Sequence, residues 1–493
     1  MNNESGYMSD LICVFDVGTT GARTIIIDIN GNEIAKAYEA YPVIKQPIGI
    51  SEQDPIIWWK AIKNTCNKVV KTINSEDIIG ISATFLRGTV TIIDKNGEVL
   101  HPALTWMDER EAHTAIEWKK DVDLRRSITK VLWLKNHKPD LFNKADKIIH
   151  TDSYIYMKLC NECVTDPSIS IWGILNNRSL KWDEGLAERF DLPVELWPEL
   201  HQSGEIIGEL SNSASEALGL KKNTPIILGG GDQQCSALGL GAINVGQAKA
   251  TTGTGTFLDY VVDHPIEPAG DFPIFSLPSV IKGKWNIEGV YPGSGDALKW
   301  FANNFSQLHL KQSQEQGINV YDMLTAEAET IPPASGGLLF LTGLSIFRKG
   351  TLHGLDWNHT RAHIIRSILE SAALGTRYYL QTTEAMGGEK TTELRVDGGG
   401  MNSDLWAQIF ADVTEKKILI SENKDGAAMG AAILGFLGCN RYDKIEKAIE
   451  NMIRFPTFKN PIKENSKIYK KLYRVFLPTL LEVYSKKRVT KDL

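Results

Sequence analysis

An α/β protein of two similar lobes is what this sequence predicts, and three observations predict it. At 493 residues the chain exceeds what one compact core serves, so two large domains are expected. Residues Leu11 to Ile29 read as an apolar strand, the turn Asp16-Val17-Gly18-Thr19-Thr20-Gly21, and a second apolar strand. A rough echo, Thr251-Thr252-Gly253-Thr254-Gly255-Thr256, follows half a chain later between strand-like runs. Glycines let backbone N–H groups crowd an anion, threonine hydroxyls add donors, and Asp16 can hold a divalent cation beside phosphates. Two such loops, one per half, point to a nucleotide gripped between the lobes.

Composition narrows the class. Hydrophobic content of 42% with 23% charged residues describes an ordinary globular chain. A net charge of −6 argues against nucleic acid or anionic membrane as the main partner. The polar Met1–Asp10 stretch lacks the apolar core of a signal peptide, and no run approaches the roughly 18 to 20 apolar residues of a membrane span, so a cytoplasmic protein is expected. Cys160-Asn161-Glu162-Cys163 is a lone C-x-x-C without a second pair, which reads as reduced thiols at fortuitous spacing rather than a zinc site.

The elements follow in order. Thr24–Ile29 and Glu33–Tyr41 are strands joined by Asn30-Gly31, a short hairpin signal. Pro55–Ile73 has helical apolar spacing, with Asp54 as N-cap and Pro55 at the first position. Ile78–Ala83 and Thr89–Asp94 are strands, and Glu109–Lys120 turns helical. Pro225–Gly231 is a buried strand ending in glycines before a helical Gln233–Gly241. Near Gly241–Gly246 the pattern restarts: strands at Ala248–Thr252 and Phe257–Val262, a long amphipathic helix at Arg361–Ala385, a short strand at Leu394–Val396, and an Ala/Gly-rich helix at Ala427–Gly438 built for close packing. The division falls at residue 245, giving domains 1–245 and 246–493 with a cleft between them; the last fifty residues read as helical and surface-lying.

Several motifs carry chemistry. Gly229-Gly230-Gly231-Asp232-Gln233-Gln234 places a carboxylate on a glycine turn between strand and helix. An aspartate there is often only an N-cap. Beside two phosphate-type loops it better suits a general base taking a proton from an attacking hydroxyl. Asp397-Gly398-Gly399-Gly400-Met401-Asn402-Ser403 leads into a helix at Asp404, and its bare backbone admits a flat purine or a phosphate. Gly293-Ser294-Gly295-Asp296 offers donors that reach a terminal phosphate or cap a helix. Trp106, beside Asp108 and Arg110, can stack on the apolar face of a polyol while the charges bind hydroxyls; the alternative is a core tryptophan. Arg87, just after the Ile78–Ala83 strand, either binds substrate oxygens or is a solvated arginine. His359 and His363 lack an acidic companion in ligand register and read as structural. The chain has neither Gly-x-x-x-x-Gly-Lys-Ser/Thr nor a dinucleotide-type Gly-x-Gly-x-x-Gly after its first strand.

The order of these elements resembles the FGGY carbohydrate kinases, which include xylulose, ribulose, glycerol and autoinducer-2 kinases. The carrying residues are Asp16 to Arg23, Glu52-Gln53-Asp54-Pro55 with Trp58-Trp59, Trp106-x-Asp108-x-Arg110, Gly229 to Gln234, Thr252 to Gly255, Asp397 to Ser403, and Ala427 to Ala432. The resemblance implies two actin-like, ribonuclease-H-like domains with ATP in the cleft and Mg²⁺-dependent transfer of the γ-phosphoryl group to a small sugar or polyol. It implies Asp232 as catalytic base, with Asp16 and Asp232 on the metal side. Gly18, Thr19, Thr20, Arg23, Thr252, Gly253, Thr254 and Gly295 match the phosphate side, and Gly399, Gly400 and Asn402 the adenosine side. Arg87, Trp106, Asp108, Asp232 and Gln233 match the substrate side. Leu86-Arg87-Gly88 stands where xylulose kinases carry Met-His-Gly; Ser82 to Arg87 is more similar to autoinducer-2 kinases, and Asp232-Gln233-Gln234 to glycerol kinases. The expected activity is an ATP-dependent sugar kinase, a pentulose being the first choice and glycerol or autoinducer-2 the alternatives. An actin-like ATPase or chaperone-type module is the reading from another class, and a homodimer is one option for assembly.

Overall fold

A computed structural model describes residues 10–46, 49–110, 127–267, 274–342 and 350–485. The chain divides into two compact units. The first comprises 1–241, 277–285 and 426–453; the second comprises 242–276, 286–425 and 454–493. The expected helix at Glu109–Lys120 falls mainly on residues outside those described.

The first unit is built on strand Leu11–Val17, which runs antiparallel to Gly21–Asp28; that strand pairs in turn with Glu33–Ala40. On its other side Leu11–Val17 lies parallel to Ile78–Phe85, itself parallel to Pro225–Gly231. The second sheet repeats this order: Trp285–Tyr291, Thr256–Val262, Ala248–Thr252, Glu393–Asp397, Lys417–Ile420. Ala248–Thr252 is antiparallel to Thr256–Val262 and parallel to Glu393–Asp397, which is parallel to Lys417–Ile420. The echo between the two Gly/Thr loops is therefore a structural repeat, each loop being the tight turn between the first two strands of its sheet.

Near-continuous apolar runs suit the central strands, because a parallel sheet covered on both faces buries both side-chain rows. Cys13, Phe15, Val17, Ile81, Ala83 and Phe85 are buried on one core with Trp58, Ile62 and Cys66 of the helix Ile56–Val69. That helix starts one residue later than expected: Pro55 is its N-cap, and Asp54 Oδ1 accepts from Ile56 N at 3.0 Å. A five-stranded sheet that includes Ile50–Gln53, Ala103–Leu104, Val90–Ile93 and Lys147–His150 carries a second core around Leu132, Ile174 and Trp197.

The Ala/Gly-rich helix Gly426–Gly438 belongs to the first unit and crosses the helix Asp232–Gly239 at backbone distance. A Cβ at Gly239 would strike the Gly426 carbonyl, and one at Gly430 would strike the Cys235 carbonyl. Those two glycines fix the seat of the Asp232 helix. The C-terminal region is less peripheral than expected: it contains strand Thr457–Lys459, and helix Lys463–Ser485 buries Tyr469 and Phe476.

Candidate active site

In the first unit, three parallel strands end at one edge. Asp16 and Gly230 both stand in register with Thr84, one on each side of Ile78–Phe85. At an inter-strand spacing of roughly 4.8 Å, the Asp16 and Asp232 backbones emerge about 10 Å apart, with Arg87 leaving the strand between them. Ligands of open α/β sheets bind outside the carboxyl ends of such strands.

Asp232 is the first residue of its helix and is one-third exposed. Its Oδ1 accepts from Gln233 N at 2.8 Å and from Arg87 Nε at 3.1 Å. Arg87 is not a solvated arginine: its side chain is 8% exposed, Nη1 donates to Gln234 Oε1 at 3.3 Å, and the guanidinium lies 5.5 Å from the Trp172 ring centroid. The three glycines before Asp232 have packing reasons. A Cβ on Gly229 would enter the Ala83 carbonyl, and one on Gly231 would come within 2.7 Å of Arg87 Cδ.

The Gly18–Gly21 turn is closed by Gly18 N donating to Gly21 O at 3.0 Å and braced by Tyr41 Oη donating to Gly18 O at 2.6 Å. Asp16 is mostly buried and pairs with Arg23 at 3.4 Å, its cross-strand neighbour. Thr19 is held from two sides: Gln53 Nε2 donates to its carbonyl at 2.7 Å, and Trp106 Nε1 donates to its hydroxyl at 2.9 Å. Trp106 is thus no core tryptophan. Its ring is 48% exposed beside the phosphate-type turn, while Thr20 is exposed at the tip. Asp108 is turned inward: Oδ2 accepts from Ser51 N at 2.7 Å, and Arg110 Nε lies 3.1 Å from both oxygens. Arg110 bridges on to Glu52 at 2.8 Å and covers the Trp133 ring. Burial, with the Asp108 charge beside it, pushes the neighbouring Glu109 carboxyl up to about 7.

The second unit presents the other loops at one edge of its own sheet, since Thr251 and Asp397 are register partners. Gly398, at φ +90°, lies so close to Thr252 that a Cβ would come 2.5 Å from the Thr252 carbonyl oxygen. Gly253 and Gly399, by contrast, face open space where a Cβ would stand. The buried Thr252 hydroxyl has no hydrogen-bond partner among the described residues. Bare backbone and an unsatisfied hydroxyl at one sheet edge fit an anionic or flat ligand. The Gly295 amide is used internally, donating to Gly253 O at 2.9 Å, and the Asp296 amide donates to Thr254 O. Asn402 accepts from Lys424, and Gly400 packs on Trp406.

Sequence reasoning missed Gln53 as the brace of Thr19, Gln234 and Trp172 as the supports of Arg87, and Ser168, whose Oγ accepts from Gly231 N at 2.8 Å. Gln53 stood inside a quoted motif; the others carried no local signal. Among the described residues there is no cluster of three metal-ligating His, Cys, Asp or Glu side chains, and no helix is long and apolar enough to cross a membrane. His363 caps the helix Arg361–Gly387 through Thr360, a structural role.

Carboxylates stand at strand ends of two sheets with the same strand order, and comparison with known proteins gives the class. The profile for the N-terminal domain of the FGGY family of carbohydrate kinases matches residues 11–239, and that for the C-terminal domain matches 248–439. The chain belongs to the FGGY family of carbohydrate kinases. It is 28% identical to a gluconokinase of Bacillus subtilis, over 95% of each chain, and 27% identical to a xylulose kinase of the same organism, over 94% of this chain and 95% of that one. The crystal structure of a gluconate kinase from Lactobacillus acidophilus superposes with a TM-score of 0.87 at 23% identity, covering 97% of this chain and 99% of that one. The two sheets are accordingly the actin-like domains of this fold, and the protein is a sugar kinase of a family that uses ATP as phosphate donor.

Proposed function

We propose that this kinase transfers the γ-phosphoryl group of ATP to a hydroxyl of a small polyhydroxylated substrate, with Asp232 as general base and a pentulose such as xylulose or ribulose as the acceptor. The observation that carries this reading is Asp232 on the first turn of a helix, at the carboxyl end of a parallel strand two strands from Asp16. The acceptor O–H proton passes to an Asp232 carboxylate oxygen as its oxygen bonds to phosphorus, and the bond to the bridging oxygen breaks to leave ADP. Asp16, a mostly buried carboxylate at a strand end, fits a Mg²⁺ ion with Asp232; such an ion supplies neutralisation of phosphate charge.

Gly18, Thr19, Thr20 and Arg23 of the first unit, and Thr252, Gly253 and Thr254 of the second, serve phosphate groups; Gly295, whose amide donates to Gly253 O, supports that second loop. Gly399, Gly400 and Asn402 serve adenosine. Trp106, with its exposed ring, stacks on the sugar; Gln233, Arg87 and Asp108 complete that side, the last two by holding Asp232 and the Ser51 strand rather than through free charges.

A second reading is an aldonate such as gluconate. It is favoured by the names of two relatives, the gluconokinase of Bacillus subtilis and the gluconate kinase of Lactobacillus acidophilus. Coupled ADP release measured across xylulose, ribulose, glycerol, erythritol, gluconate and autoinducer-2 tests both. The highest kcat/KM on a pentulose supports the first reading, and on gluconate the second. Asp232→Asn is expected to keep ATP binding while losing turnover by about 10² or more, the scale of general-base removal; near-normal turnover in that variant removes Asp232 from the role.

A further inference from the structure

The Pro225–Gly231 strand carries an irregularity within its ladder and resumes pairing at Gly230 and Gly231. Its pairing with Ile78–Phe85 shifts register between Ile227 and Gly230. Two amides, one within that irregularity and one just after it, donate to side chains. Gly229 N donates to the Tyr156 hydroxyl at 2.9 Å, and Gly231 N donates to the Ser168 hydroxyl at 2.8 Å. All four residues are buried. Gly231 immediately precedes Asp232 and is the N-cap of its helix, with no side-chain cap of its own. The Ser168 bond therefore fixes the peptide from which Asp232 departs.

Ser168 is itself held firmly. It lies on the single turn Pro167–Ser170, which opens with Asp166 as N-cap and proline at its first position. Asp166, 1% exposed, accepts from Ser168 N at 2.9 Å, from Ile169 N at 3.3 Å and from Ser203 Oγ at 3.0 Å. Gly230 fits against this turn so closely that a Cβ there would come 2.9 Å from Ser168 Oγ and 3.3 Å from Asp166 Oδ2. The same segment runs on to Trp172, whose ring supports Arg87, the ion-pair partner of Asp232. One buried segment thus grips both the backbone of the acid and the cation paired with it.

We infer that Ser168, seated by the Asp166 cap, is a positioning residue that aims the Asp232 carboxylate for proton transfer. The inference rests on the reading of Asp232 as general base. A buried serine with a purely packing role would change stability alone; a positioning role shows in kcat, through Asp232.

The test is a double-mutant cycle on the full-length enzyme with its best sugar and ATP. Ser168→Ala is expected to lower kcat about tenfold, the equivalent of one hydrogen bond, with both KM values within about twofold. In the Asp232→Asn background, whose residual rate is read by single-turnover ADP formation, the same substitution is expected to change the rate by less than about twofold. Ser168→Cys, of similar volume but with a weak acceptor, is expected to fall between serine and alanine, and it takes over the cycle if the alanine variant does not fold. Full kcat in a folded Ser168 variant, or an undiminished loss in the Asp232→Asn background, overturns the inference. Near-normal turnover in Asp232→Asn alone instead overturns the base assignment, so the two failures are distinguishable.

Discussion

Arg87 Nε lies 3.1 Å from Asp232 Oδ1, so the strand-end cation is bonded to the carboxylate assigned as base. Position alone suggests a substrate contact; the geometry gives Arg87 a second task, holding the base in orientation over the Trp172 ring. Removing it frees the carboxylate to turn and deletes a positive charge near the reacting groups. Arg87→Ala is expected to lower kcat by roughly ten- to a hundredfold, the value of a charged hydrogen bond, and to raise the sugar KM more than the ATP KM. Steady-state kinetics in both substrates checks this. Equal changes in both KM values with unchanged kcat would count against it.

Trp106 combines an exposed ring with an Nε1 that donates to the Thr19 hydroxyl. Two substitutions separate the tasks. Trp106→Phe keeps an aromatic face but loses the donor, leaving Thr19 anchored only through its carbonyl by Gln53. It is expected to raise the ATP KM severalfold, on the scale of one neutral hydrogen bond, with a smaller effect on the sugar KM. Trp106→Ala removes the face as well and should add a comparable or larger rise in the sugar KM. A phenylalanine variant altered only toward sugar would place the hydroxyl contact outside phosphate binding.

What the sequence disclosed follows from where its signals are local. Strand bounds at Pro225–Gly231 and Ala248–Thr252 agree with the structure because apolar runs meet glycine or threonine turns there. The helix at Asp404 is likewise announced by Ser403, whose hydroxyl caps it. The supports of the site were not legible. Ser168 meets Gly231 across 63 residues and Trp106 meets Thr19 across 87, contacts for which no spacing rule exists. Asp108 shows the limit at short range. Its charge reads as a substrate contact, yet Arg110, two residues on, draws both oxygens inward. The C-terminal helix reads as surface-lying from the sequence, yet the fold covers Tyr469, Leu472, Phe476 and Leu480, contacts to distant elements that its own pattern does not name.

The buried acids Asp152 and Asp166 predict how stability depends on pH. Asp152 is 1% exposed, accepts from Thr165 Oγ1 at 2.7 Å, and is pushed up to about 7 by burial. Unfolded, the same carboxyl titrates near its ordinary value of about 3.9. Between those values the folded chain binds the proton more tightly, so the contribution to stability is complete below pH ~4 and is lost as pH rises through about 7. Asp152→Asn stays neutral throughout and keeps an oxygen to accept from Thr165. It should therefore match the parent near pH 4 and exceed it at pH 8, by a few kcal/mol at most. Asp166, pushed up to about 6 by burial, contributes with the same sign and remains in the variant, so the slope should diminish without vanishing. Melting temperatures measured from pH 4 to 8 decide it: an asparagine variant no more stable than the parent at pH 8 would mean that Asp152 is accommodated as an ion.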